Sequence, residues 1–209
     1  MAMSAHKIYG PKGSGALVCR SPRLLESLIY GGPQELGLRA GTINVAGVAG
    51  FGEAARLRFA EMGVDEPRIA SLRDRLESRL LSEVDGLIVN GDLKSRLAGA
   101  LHVAVPGVPN GAIIANVRDR LAISTGAACS SGIDAPSHVV EAMGMRASLA
   151  DSVLRISLGR FTTPEEVDAA AGLLAAACAR VRRSLAGQGN SYHQTAESGT
   201  RMGVTNADA

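Results

Sequence analysis

The sequence predicts an α/β chain in two parts: a short N-terminal piece and a compact α+β domain over residues 64–186. Three patterns carry that expectation. Ile69, Leu72, Leu76 and Leu80 recur at helical spacing within Glu66–Val84. Short apolar runs at Leu87–Val89, Ala100–Val105, Leu121–Ile123 and Val153–Leu158 have strand length and are separated by turn or helical sequence. A closing helix opens with Thr163-Pro164-Glu165-Glu166: an N-cap threonine, a proline at the first helical position and a glutamate at the third.

The elements follow in order. Lys7–Tyr9 reads as a strand, Gly10–Gly15 as its turn, and Ala16–Cys19 as the apolar return. Asn44–Met62 reads as a helix linking the two parts, with Val45, Val48, Phe51, Ala55 and Leu57 as its apolar positions. After the helix at 66–84 and the strands at 87–89 and 100–105 come a short helix near Gly111–Arg120 and the strand at 121–123. A loop of small residues around Cys129, a helix at Ser137–Met143 and the strand at 153–158 lead into the last helix. Val167, Ala171, Leu174, Cys178, Val181 and Leu185 form that helix's expected buried stripe. From Gly187 the chain is polar and rich in Gly, Ser, Thr and Asn, and it reads as a disordered tail over 187–209.

Composition excludes several classes. A net charge of +2 with no basic stripe interleaved with aromatics argues against direct nucleic-acid binding. No run reaches membrane-spanning length, and no apolar signal segment opens the chain. Three cysteines without framework spacing suit a reducing compartment, so a cytoplasmic protein is expected. No His/Cys/Asp/Glu cluster has ligand spacing, so no metal is expected. Aromatic residues make up 3% of the chain, which leaves Ala and Gly to fill the interior.

Two segments carry chemistry. Ser4-Ala5-His6-Lys7 precedes a glycine-rich reversal, which suits an amine that holds an aldehyde cofactor as a Schiff base, with Ser4 and His6 as phosphate donors. The same run also reads as a surface hairpin with a solvated lysine. Ser124-Thr125-Gly126-Ala127-Ala128-Cys129-Ser130-Ser131-Gly132 places a thiol among small and polar residues. Such a loop buries little apolar area and can carry a nucleophile toward a substrate and away again. Cys19 and Cys178 sit on an apolar strand and an Ala-rich helix and read as buried structural thiols. His102 and His138 also read as structural.

Four segments, in this order, resemble the cysteine desulfurases, pyridoxal-phosphate enzymes of fold type I in the class V aminotransferase group. They are Ser4–Gly13, Gly31–Thr42 ending in Arg39-Ala40-Gly41-Thr42, Gly126–Ser131 and Val153–Thr163. The resemblance spans residues 4 to about 185 and implies the C-terminal part of such a transferase. Residues 1–43 would be a remnant of the large pyridoxal-phosphate domain, 44–63 a linking helix, and 64–186 the small domain. The family's ring-stacking histidine, its acid for the ring nitrogen and its ring-oxygen donors lie upstream of the matched segments. The chain is therefore expected to be part of something longer.

The resemblance also implies roles. Lys7 would be the cofactor lysine and proton carrier, Ser4 and His6 phosphate ligands, and Thr42 a residue that reaches the partner subunit's cofactor in a homodimer. Cys129 would take sulfur from L-cysteine as a persulfide and pass it to an acceptor protein. An iron–sulfur scaffold, a tRNA-thiolation enzyme or a DNA-phosphorothioation system are the acceptor classes. Arg155 would clamp the substrate carboxylate, because its planar fork matches two oxygens at once. From pattern alone Arg155 reads rather as an exposed strand arginine in a surface ion pair, and Arg39 could equally fix its own glycine-rich segment by bonding carbonyls. An inactive remnant that dimerises or binds partners is the alternative to the enzyme. Another class V activity, an aminotransferase or lyase, would not need the thiol.

Overall fold

The computed structural model describes residues 1–125, 142, 144 and 147–197. The chain separates into two compact units, Met1–Asp65 and Glu66–Ala209.

In the first unit β1 (Ala2–Ser4) pairs antiparallel with β2 (Gly15–Leu17), Ser4 opposite Gly15 and Ala2 opposite Leu17. Residues 5–14 form the connection and open with a 3₁₀ helix, Ala5–Ile8. The expected strand at Lys7–Tyr9 is therefore displaced: Lys7 sits in the 3₁₀ turn, not on a strand arm. The reason lies at Ala5, which is fully buried. Its N–H donates to the Ser14 carbonyl (3.0 Å), and its carbonyl accepts from Gly10 (2.9 Å). These bonds pin both ends of the connection, and Tyr9, at φ 67°, ends the turn in the left-handed region. Position 10 favours glycine, since a Cβ there would stand 3.0 Å from both the Ala5 carbonyl oxygen and its methyl, closer than side chains ordinarily pack.

α1 runs without interruption over Val45–Glu83, where two helices were expected. Pro67 lies inside it and removes one backbone donor, the one that would bond the Gly63 carbonyl. The helix nevertheless continues, because helical turns on either side propagate at little cost once nucleated.

The second unit is built on a four-stranded antiparallel sheet of order β3 (Ile88–Val89), β4 (Ala100–Ala104), β6 (Val153–Ser157), β5 (Ser124–Thr125). One face carries Leu101, Val103, Leu154 and Ile156 into the core. Three helices cover that face. The C-terminal part of α1 contributes Leu72, Leu76 and Leu80, and α2 (Asn110–Val117) contributes Ile113 and Val117. α3 (Pro164–Glu197) contributes Val167, Ala171, Leu174, Cys178 and Val181. Each fully buried Leu or Val stabilises the fold by about 1.5–3 kcal/mol over leaving it exposed. With so few aromatics, Ala170, Ala171 and Ala177 fill the α3 side of the core.

Three boundaries differ from expectation. The strand expected at Leu121–Ile123 forms instead at Ser124–Thr125, because Leu121 is still held by the last turn of α2 (N–H to the Val117 carbonyl, 2.8 Å). Leu185 is exposed and ends the buried stripe at Val181. α3 continues past Gly187 to Glu197, where a tail was expected. Residues 198–209, Cys129 and the helix expected at Ser137–Met143 (Ala142 apart) lie outside the described residues.

Arginines on α1 join the elements of the second unit. Arg75 and Arg79 grip Asp168 of α3 (2.6 and 3.3 Å). The Arg75 guanidinium, with that of Arg79, holds the Asp168 carboxyl below the usual carboxylate range. The buried Arg73 bonds the Leu97 carbonyl (3.1 Å) and Asp74, and Arg96 bonds Glu77 (2.7 Å), so the 90–98 connection is fastened to α1.

Candidate functional site

The sequence-predicted residues fall in both units. In the first, Ser4 ends β1, and His6 and Lys7 occupy the 3₁₀ turn that follows. All three side chains lie within one turn of backbone, are exposed, and have no hydrogen-bond partner among the described residues. An amine, a hydroxyl and an imidazole that are free and adjacent form a donor set that can meet an aldehyde and a phosphate.

Thr42 follows a segment that fixes itself. The Arg39 guanidinium donates to the carbonyls of Ala40 (3.0 Å) and Gly41 (3.4 Å). The Gly41 N–H donates to the side-chain oxygen of Gln34 (3.1 Å), and the Ala40 N–H to the Ile29 carbonyl (3.3 Å). Gly41 takes φ 97°, which a side chain would strain. Arg39 therefore bonds the carbonyls of its own segment, as expected. Thr42 itself is exposed.

In the second unit Arg155 sits at the middle of β6, half-buried, on the face opposite the core residues Leu154 and Ile156. Its guanidinium makes no ion pair with any acid among the described residues, so the surface-ion-pair reading of Arg155 finds no partner there. The buried Arg73 and the partly buried Arg79 and Arg96 of this unit each find one.

The sequence did not reveal how the turn after β6 is held. The Gly159 N–H donates to the Thr162 hydroxyl (3.0 Å), and the Arg68 guanidinium of α1 donates to the carbonyls of Arg160 and Thr162. This fastening fixes the C-terminal end of the strand that carries Arg155. Its signal would have been a single arginine near the start of the helix expected at 66–84, too common a feature to single out. Asn110, which opens α2, similarly donates to the Val153 carbonyl at the start of β6 (3.1 Å).

Residues 1–170 match the family described as Aminotransferase class-V, and the chain belongs to that family. It is 43% identical over 184 residues to the cysteine desulfurase IscS of Histophilus somni, covering 87% of this chain and 45% of that protein. A solved NifS-like protein superposes with a TM-score of 0.73 at 31% identity, covering 83% of this chain and 44% of that one. SspA in complex with cysteine superposes with a TM-score of 0.52 at 28% identity, over 78% of this chain and 44% of that one. The chain therefore spans just under half the length of the relatives it matches. The family is pyridoxal-phosphate-dependent, and the donor set Ser4, His6 and Lys7 fits the phosphate and aldehyde ends of that cofactor.

Proposed function

We propose that this chain is the C-terminal part of a pyridoxal-phosphate-dependent cysteine desulfurase, which moves sulfur from L-cysteine to an acceptor and releases L-alanine. One observation carries the reading. A chain 43% identical to a desulfurase holds Lys7 free on its turn, and on its sheet holds a half-buried Arg155 with no acid beside it among the described residues. Residues 1–43 would then belong to the large domain and 64–186 to the small one. Thr42 would serve a partner subunit in a homodimer.

The chemistry follows from the residue types. Arg155 binds the substrate carboxylate through two parallel hydrogen bonds and orients the Cα–Cβ–Sγ arm. Lys7 Nζ anchors the cofactor, with Ser4 and His6 on its phosphate, and later carries a proton to and from the substrate carbons. When bound, the cofactor supplies the electron sink that such chemistry needs. The Cys129 thiolate attacks the substrate sulfur. A sulfur–sulfur bond forms, the carbon–sulfur bond breaks, and its electron pair stays with the carbon, which gains a proton and becomes the methyl of alanine. Cys129 keeps the sulfur as a persulfide and yields it to an acceptor protein, with iron–sulfur assembly as one destination. This requires the Cys129 thiol to ionise near ambient pH.

In the full chain with pyridoxal phosphate, L-cysteine and dithiothreitol, Cys129→Ser should abolish sulfide release while leaving the visible cofactor band intact. Lys7→Ala should abolish the band itself. Sulfide release at the parent rate from Cys129→Ser would refute the nucleophile. A second reading, a partner-binding or dimerising module without activity, draws on the exposed apolar side chains Leu28, Tyr30, Leu36 and Phe59 of the first unit. Absence of any Lys7-dependent band would favour it.

A further inference from the structure

The sheet row that contains Arg155 holds a second ionisable group. Strand pairing sets His102 of β4 opposite Arg155 of β6, and Ser124 of β5 opposite Arg155 on its other side. Beyond His102, Asn90 follows β3. Its backbone N–H donates to the His102 carbonyl (2.8 Å), and its side-chain amide meets His102 Nδ1 at 3.0 Å. Asn90, His102, Arg155 and Ser124 thus make one half-buried polar row across all four strands, on the face away from Leu101, Val103, Leu154 and Ile156. Residues directly opposite in such a ladder have Cβ atoms only about 4.5–5.5 Å apart. Among the described residues no carboxylate pairs with either His102 or Arg155. Among the described residues the guanidinium beside this imidazole has no counter-ion, an arrangement that an anion completes.

We propose that His102 and Arg155 form one carboxylate subsite, in which the His102 ring is a second donor beside the guanidinium and Asn90 and Ser124 bound the row. The inference rests on Arg155 as the substrate clamp, and the ligand class is an α-amino-acid carboxylate. The row also couples that carboxylate to a proton. Burial, and then the Arg155 charge, hold His102 below the ordinary imidazole range. Where the Asn90 amide donates to Nδ1, the neutral tautomer carries its proton on Nε2. β3 and β5 contribute the neutral Asn90 and Ser124 to the row, so Arg155 is the charged group that acts on the ring among the described residues. A carboxylate docked on Arg155 offsets its repulsion, so the His102 midpoint is higher in the bound state than in the free state. Reciprocally, carboxylate binding tightens as pH falls through the window between the two midpoints.

The test follows the His102 ring by NMR in the full chain, with His102→Asn to assign its signal. Arg155→Met should shift the His102 midpoint upward, and Arg155→Lys, which keeps the charge, should leave it near the parent value. Acetate as the probe, compared with sodium chloride at equal ionic strength, should raise the midpoint in the parent and not in Arg155→Met. An unchanged midpoint in Arg155→Met would overturn the proposal. So would an equal rise in Arg155→Lys and Arg155→Met, or an acetate effect no different from that of chloride. Loss of sulfide release in Cys129→Ser and of the visible band in Lys7→Ala is read without the His102 midpoint, so failure of the desulfurase reading and failure of this one are separately visible.

Discussion

At the scale of single residues, the chain's cysteines illustrate how surroundings divide one functional group into different chemistries. Cys178 lies on the buried stripe of α3 among Leu80, Val103, Leu154 and Leu174. Burial pushes its thiol pKa up, against a smaller opposing effect of Arg182. At neutral pH it carries less thiolate than an ordinary cysteine, and reagents reach it only when the core opens. Cys19 is half-buried and donates to the Ser21 carbonyl (3.2 Å). In a chain with Cys19→Ala and Cys129→Ser, the one remaining thiol should be inert to Ellman's reagent in buffer and react at once in denaturant. Prompt reaction in buffer would contradict the packing of α3. This burial was legible in the sequence, since Cys178 falls at helical spacing between Leu174 and Val181. The Asn90–His102–Arg155 contact was not, because it depends on strand register, and register is set by pairing across more than fifty residues of chain.

Elements were legible where a local pattern fixed both their type and an end. The Thr163 motif is the clearest case. The Thr163 N–H donates to the Glu166 carboxylate (3.0 Å), and the Glu166 N–H donates to the Thr163 hydroxyl (3.2 Å), a reciprocal capping box. Thr163→Ala removes a side-chain acceptor from the first turn of α3 and should cost about 0.5–2 kcal/mol, read as a lower denaturant midpoint at unchanged slope. Thr163→Ser keeps the hydroxyl and should recover most of that loss. A neutral Thr163→Ala would mean that α3 is held by packing alone. Elements misread from sequence share a different physics. The first strand pairs at Ala2–Ser4, not at Lys7–Tyr9, because the buried Ala5 and its two backbone bonds decide where the ladder stops. Neither bond leaves a mark in residue type. The two helices expected at 44–62 and 66–84 are one continuous α1, with Pro67 inside it.

For the whole molecule, the distribution of burial matters more than its total. Every residue of the main hydrophobic cluster lies between Leu72 and Val181, within the second unit. In the first unit the buried apolar residues are Ala5 and Ala40, while Leu28 is 92% exposed and Phe59 82% exposed. Two alanines bury far less apolar area than the Leu, Ile and Val side chains of the sheet domain, and area removed from water sets the stabilisation. Local opening free energies should therefore differ sharply between the units. Amide hydrogen exchange on the full chain should show the slowest protons at Leu101, Val103 and Ile156, in the paired centre of the sheet. The amides that pair β1 with β2, and those of the 29–44 segment, should exchange orders of magnitude faster. The lysine that the desulfurase reading assigns to the cofactor would then stand on the labile unit and the carboxylate clamp on the stable one. Ordering of the labile unit on cofactor uptake should register as slowed exchange around Lys7 with little change at Ile156. Equal protection of β1 and β6 in the parent chain would show that the first unit is held by forces the burial pattern does not reveal.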